Sequence, residues 1–247
     1  MRDTVYANLA KSLSSMITSL PHKPEAILMI SAHWEEDVFT VQGQEQPGMI
    51  YDYYGFPEHT YSVQYPSKGH PVLAQRIQKL LLNKGLPTGL DLHRGYDHGM
   101  YAPMALIAPE ADIPVLQLSL KMGLEPLIHV QAGRALTPLR EERVLIVGSG
   151  LSYHNLRAFG PLGREASCNF DRWLQQTVLQ FTGQERTDRL LHWAQAPSAR
   201  EAHPREEHLL PLMVVSGAAE SERGSCVYHE NDFAGSITVS SFCLGSS

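Results

Sequence analysis

Apolar residues along the chain fall into short continuous runs and longer stretches spaced at helical intervals. Ala26-Ile27-Leu28-Met29-Ile30 follows Pro24 and leads into Ser31-Ala32-His33-Trp34. Ile113-Pro114-Val115-Leu116-Gln117-Leu118-Ser119-Leu120 is a second continuous run, and Val144-Leu145-Ile146-Val147, ahead of Gly148, is a third. Runs of this length bounded by Pro and Gly predict strands covered on both faces, as parallel sheets require. Helical spacing predicts helices over 6–20, 71–84, 124–139 and 170–182, the second opened by Pro71 and closed before Gly85. Strands alternating with helices predict an α/β sandwich. Its expected form is a single domain over 1–247, a central mostly parallel or mixed β-sheet flanked by helices. Residues 183–204 are polar and predicted to be rich in loops. The first predicted element is a helix, with no strand ahead of it.

A chain of 247 residues buries a substantial core without covalent staples. Twenty Lys and Arg against 26 Asp and Glu give a formal charge of −6, which argues against a partner as anionic as nucleic acid. No run of 18 apolar residues and no signal-like opening occur, so the expectation is a cytoplasmic protein without a membrane partner. Cys168, Cys226 and Cys243 are widely spaced with no Cys-x-x-Cys pair. That excludes a disulfide framework and a thiolate zinc site, and all three read as structural. Gly148-Ser149-Gly150 is neither a nucleophile elbow nor a dinucleotide fingerprint, and no Gly-Lys-Ser/Thr phosphate loop exists.

Histidine changes the picture, with twelve in the chain. In open α/β sheets, ligands bind beyond the carboxyl ends of the strands. His33 follows the first run, and His154 follows the third across Gly148-Ser149-Gly150-Leu151-Ser152-Tyr153. His98 lies in Gly95-Tyr96-Asp97-His98-Gly99, and His208 just precedes Leu209-Leu210-Pro211-Leu212. Spacing alone leaves two readings open for these four, one shared pocket or ordinary surface and core imidazoles. His22, His59, His70, His93, His129, His192, His203 and His229 take the ordinary reading. Neutral imidazole ligates iron or zinc, and few protein ligands leave positions open for substrate and O₂ or water. A further histidine outside the ligand set can move a proton near neutral pH. Gly148 and Gly150 are expected to let the backbone turn sharply. The aromatic stretch 51–57 either walls a pocket or packs on the surface. Glu206 and Glu207 read as acidic residues in the first turn of a helix after Pro204, with a pair of catalytic carboxylates as the alternative.

Ser31-Ala32-His33-Trp34, Tyr51-Asp52-Tyr53-Tyr54-Gly55-Phe56-Pro57, Tyr96-Asp97-His98-Gly99, Asp112-Ile113-Pro114-Val115-Leu116-Gln117-Leu118-Ser119 and Glu207-His208-Leu209-Leu210-Pro211-Leu212 occur in this order. Together they resemble the class III extradiol ring-cleavage dioxygenases, in the branch similar to 4,5-DOPA dioxygenase, from about residue 4 to the C-terminus. The resemblance implies metal-dependent opening of a DOPA-like catechol ring by O₂ beside its two hydroxyls, giving a semialdehyde. It implies a divalent cofactor, Fe(II) or Zn(II), with His33 and His208 as metal ligands. His154 matches the catalytic base, which is also grouped with the metal ligands in this branch. His98 matches a residue that contacts substrate or dioxygen and assists catalysis, and Tyr153 is expected on the substrate. The family opens with a strand carrying a further ligand in a His-Gly-Ser-Pro sequence, and no such segment occurs in these residues. The expectation is therefore that Met1 is an internal start, that a sheet edge is exposed, and that His22 lies too far away to substitute. Two alternatives use the same cluster: a zinc-dependent hydrolase, and an inactive catechol-binding relative short of one ligand.

Overall fold

A computed structural model describes residues 6–245 of the chain. Its first half runs α1 (Ala7–Ser15), β1 (Ala26–Glu36), β2 (Phe39–Gln42), α2 (Pro71–Leu82), β3 (Thr88–Asp91), α3 (His98–Ile107), β4 (Val115–Lys121) and α4 (Pro126–Leu136). The second half runs α5 (Pro138–Glu141), β5 (Val144–Ser149), α6 (Arg164–Gln180), α7 (Gly183–Leu191), α8 (Ala199–Ala202), α9 (Leu210–Ala218), β6 (Gly224–Phe233) and β7 (Ile237–Leu244). Five strands form one mixed sheet in the order β3-β2-β4-β1-β5. β1 pairs in parallel with β4 on one side and β5 on the other. β3 is parallel to β2, and β2 meets β4 antiparallel through Val41 and Leu118. β3 and β5 are the edge strands of this sheet among the described residues. β6 and β7 form a separate antiparallel hairpin.

The central place of β1 explains its unbroken apolar run. Ile27, Leu28, Met29 and Ile30 are all fully buried, but alternate residues serve different layers. Leu28 and Ile30 join a cluster with Leu116, Leu118, Ile77 of α2, Val130 of α4 and Val214 of α9. Ile27 and Met29 join Met100, Met104 and Ile107 of α3 on the opposite face. Odd-numbered positions of β1 thus look toward α3, which matters for Ser31 and His33.

All three expected strands are present, with one correction. β1 does not stop at Ile30 but continues to Glu36, with a shift in its pairing to β4 between Ile30 and Glu35. His33 therefore sits inside the irregular part of the strand rather than beyond its end. Residues 183–204 are also corrected, because most of the stretch is α7, a short 3₁₀ turn and α8. Its polar composition hides a fully buried Arg186, whose guanidinium donates to the carbonyls of Ala219, Glu220 and Glu222. The expected helix over 124–139 divides into α4 and α5 at Pro138. The expectation for the chain ahead of the first helix lies outside the described residues. Among those residues, no helix is long and apolar enough to cross a membrane.

His129, on α4, illustrates a histidine used for structure. It is fully buried; Nδ1 donates to the Glu125 carbonyl at 2.8 Å and Nε2 accepts the Lys121 amide at 3.2 Å. A second ring proton would confront that amide. Burial pushes the imidazole down to about 4, from 6.5 for a free side chain. Between those values the unfolded chain binds the proton more readily, so this contribution is complete above pH 6.5 and is lost as pH falls through 4. The melting temperature is expected to drop over that interval. In His129→Gln, which keeps a donor and an acceptor, the drop is expected to be shallower, as thermal unfolding across pH 7 to 4 would check.

Candidate metal centre

Four histidines from four segments meet at the end of the sheet where β1 and β5 finish. His33 comes from β1, His98 opens α3, His154 follows β5 and His208 precedes α9. Nε2 of His33 lies 3.2 Å from Nε2 of His208. The His33 ring stacks on His98 with centroids 4.0 Å apart, and the His208 ring stacks on His154 at 3.4 Å. The order His98–His33–His208–His154 is thus a continuous row of imidazoles. All four expected histidines are brought together.

Local structure explains the convergence. Below the row, the buried Asp97 accepts hydrogen bonds from Ser31 Oγ at 2.8 Å, Gln117 Nε2 at 2.7 Å and Arg94 Nη2 at 2.9 Å. This carboxylate ties β1, β4 and the start of α3 into one frame, and the guanidinium of Arg94 lies 4.2 Å over Trp34. Arg205 reaches back to Glu35 with two hydrogen bonds of 2.5 Å each, joining the His208 segment to the His33 strand. Gly150 has a steric role at the row: a Cβ there would lie 2.2 Å from the His208 carbonyl oxygen. Neither Gly148 nor Gly150 has positive φ, so the expected sharp turn is replaced by close backbone approach.

Burial and then the neighbouring imidazoles His154 and His33 push His208 down to about 2. Burial and His98 likewise lower His33. Two carboxylates stand behind the row. Asp52 Oδ1 accepts from His98 Nδ1 at 2.7 Å, and Glu207 Oε1 accepts from His154 Nδ1 at 3.1 Å. Burial opposes ionisation of both, but hydrogen bonds from these histidines hold both below the usual carboxylate range. Neutral imidazoles beside ionised carboxylates form a donor-rich, negative site, the chemistry that a divalent cation requires. Donor atoms of His33, Asp52 and His98 lie within 4.8 Å of one another, as do those of His154, Glu207 and His208.

The 3.2 Å between the two Nε2 atoms also suits one ion bonded to both at about 2.1 Å. One contact opposes it. Leu151 N–H donates to His208 Nδ1 at 3.1 Å, which puts the neutral ring's proton on Nε2, toward His33. Holding an ion through Nε2 needs that proton on Nδ1, so the Leu151 contact must yield on loading. His154 and His208 have rings only 11° from parallel, so their in-plane lone pairs do not converge between the rings.

Other expected residues fall differently. Tyr153 is fully buried, donates from its hydroxyl to the Ala158 carbonyl at 3.1 Å, and is not brought to the row. In the aromatic stretch, Tyr53 stands edge-on to His98 with centroids 5.4 Å apart, while Tyr54 projects into solvent. Glu206 and Glu207 do not open a helix, because α9 begins at Leu210 with no acidic residue in its first turn. Glu206 instead pairs with Arg200 at 2.6 Å. Asp52 joins the site with no expectation attached to it, and Glu207 joins it as a carboxylate beside the row. The available signals were adjacency to His208 for Glu207 and a lone acid within an aromatic loop for Asp52.

Residues 2–242 match the family model described as the catalytic LigB subunit of aromatic ring-opening dioxygenase. The chain is 38% identical over 222 residues to a protein of Portulaca grandiflora named 4,5-DOPA dioxygenase extradiol, covering 86% of this chain and 79% of that one. A Beta vulgaris protein of the same name is 39% identical over 224 residues, covering 89% and 82% of the two chains. An Escherichia coli K12 protein of that name is 32% identical over 250 residues, covering 99% and 90%. A crystal structure of an uncharacterized protein from Escherichia coli K12 superposes with a TM-score of 0.79 at 30% identity, covering 94% of this chain and 91% of that one.

Two outcomes are expected for the site itself. Titration with Zn(II), a diamagnetic probe, is expected to shift the Leu151 amide resonance as its contact with His208 is released, and His33→Ala should abolish that shift. Gly150→Ala is expected to weaken Zn(II) binding at least tenfold by displacing the His208 backbone, measured by competition with a chromophoric chelator.

Proposed function

Because this chain belongs to the family of the catalytic LigB subunit of aromatic ring-opening dioxygenases, we propose that it opens a catechol ring with dioxygen at the histidine row. The convergence of His33 Nε2 and His208 Nε2 carries this reading, with an acid–base imidazole stacked on each. His33 and His208 are the residues that would hold the ion. Fe(II), redox-active where Zn(II) is not, would supply adjacent open positions for the catechol oxygens and for dioxygen.

His154 serves as general base rather than as a third ligand, a role supported by the nearly parallel planes of its ring and that of His208. Its Nδ1 faces Glu207, so Nε2 is the nitrogen that takes the proton of a catechol hydroxyl. Glu207 orients the ring and stabilises the imidazolium as it forms, because an ionised carboxylate accepts but does not donate. His98 stands on the opposite flank, where it orients the second reactant, and the proton taken up by His154 is returned as the ring opens beside the two hydroxyls. Tyr53 lies edge-on to His98 and supplies an aromatic wall for the substrate ring. The names of the relatives favour a catechol with an amino-acid side chain, DOPA-like in form, as the substrate.

Anaerobic loading with Fe(II), addition of DOPA and then admission of oxygen is expected to consume one O₂ per catechol and give a yellow semialdehyde. His154→Ala is expected to lower kcat by about 10²–10⁴-fold while anaerobic catechol binding, followed by difference absorbance, is retained. Absence of oxygen uptake by fully Fe(II)-loaded protein with DOPA and simpler catechols would refute the reading.

A further inference from the structure

Asp52 lies in the loop between β2 and α2, yet one of its oxygens holds a single residue at two points. Oδ1 accepts the backbone N–H of His98 at 3.0 Å and its ring Nδ1 at 2.7 Å. The backbone bond has a local cause. His98 is the first residue of α3, and the N–H groups at a helix start lack intrahelical acceptors. Asp97 occupies the capping position but makes no side-chain cap, since its carboxylate serves Ser31, Gln117 and Arg94. Asp52, from a remote loop, takes the place of that cap. The ring bond then fixes the rotation of the imidazole as well as its origin.

The other oxygen has no such partner. Oδ2 lies 3.6 Å from His33 Nδ1, beyond hydrogen-bond length. The direct action of the carboxylate is therefore on His98. With Nδ1 donating to Asp52, a neutral His98 ring carries its lone pair on Nε2. Tyr53, the next residue in the same loop, closes on the ring edge-on, so one short segment supplies both the electrostatic and the steric restraint.

We propose that Asp52 is a positioning residue that holds His98 in the Nδ1–H tautomer and so keeps Nε2 as the nitrogen available to the reactants. This rests on the reading of His98 as a group that meets substrate or dioxygen, but the tautomer itself can be tested without turnover. In protein labelled with ¹⁵N-histidine, long-range ¹H–¹⁵N spectra, with His98 assigned through His98→Gln, are expected to show a protonated Nδ1. Asp52→Ala is expected to move the ring toward the Nε2–H form. Asp52→Asn, whose amide oxygen still accepts, should retain the Nδ1–H form. An Nε2–H tautomer in the unaltered protein, or no change in Asp52→Ala, overturns the proposal.

Kinetics give an independent arm. With Fe(II) and a catechol, Asp52→Ala is expected to lower kcat about 10–100-fold with KM within about threefold, and Asp52→Asn should recover most of that loss. Adding Asp52→Ala to His98→Gln should cause no further loss, since one residue acts through the other. Fully additive losses overturn the proposal. So does a fall in bound metal in Asp52→Asn, which would make Asp52 a ligand. If the unaltered enzyme cleaves no catechol, the reading of the reaction fails while the spectra still decide the role of Asp52.

Discussion

Two imidazole nitrogens 3.2 Å apart tolerate either a single proton or a cation between them, but not a proton on each. Much of the site follows from this constraint. Burial keeps His33 and His208 neutral, which removes the charge repulsion that would otherwise separate them. Gly150 allows the His208 backbone to come close enough for the contact. The Arg205–Glu35 fork holds the two segments together from outside, and the Asp97 frame anchors the His33 strand to β4 and α3 from below.

The two flanks of the row share a plan. Each outer imidazole stacks on an inner one and presents Nδ1 to a carboxylate. The arrangement allows two jobs to be separated that a single histidine performs poorly at once, since a neutral imidazole bonded to a cation has no lone pair left to accept a proton. The surroundings differ, however. Glu207 adjoins His208 in sequence, so the partner of His154 and the ring that His154 stacks on move as a unit. Asp52 comes from a separate loop, leaving the His98 flank to adjust independently.

Much of the architecture was legible in the sequence because β1 and β4 are covered on both faces and read as largely apolar runs; β5 reads the same way, although at the sheet edge only Val144 of it is buried. β2 and β3 were not legible, at four residues each with only part of their side chains in the core. β6 was hidden by its polar residues, most of them exposed on a hairpin that packs against α6. The ordered motif blocks made His33, His98 and His208 legible, and His154 was legible from its place after β5. Their carboxylate partners were not, because nothing in the spacing of Asp52 and His98 reveals that a loop closes over a helix start. Tyr153 shows the converse limit: its neighbour His154 belongs to the row, but the tyrosine itself is buried in the core.

His33 and His208 are 175 residues apart in sequence, and neither belongs to a short motif that could gather the donors beforehand. An unfolded chain therefore offers the ion no comparable site, so an ion bound here is a ligand of the native state alone. Mass action then makes occupancy a reserve of stability, about 2.7 kcal/mol when free ion stands at a hundred times its dissociation constant. The persistence of this protein would consequently track the availability of its metal, and depletion would shorten its lifetime even where no substrate is present.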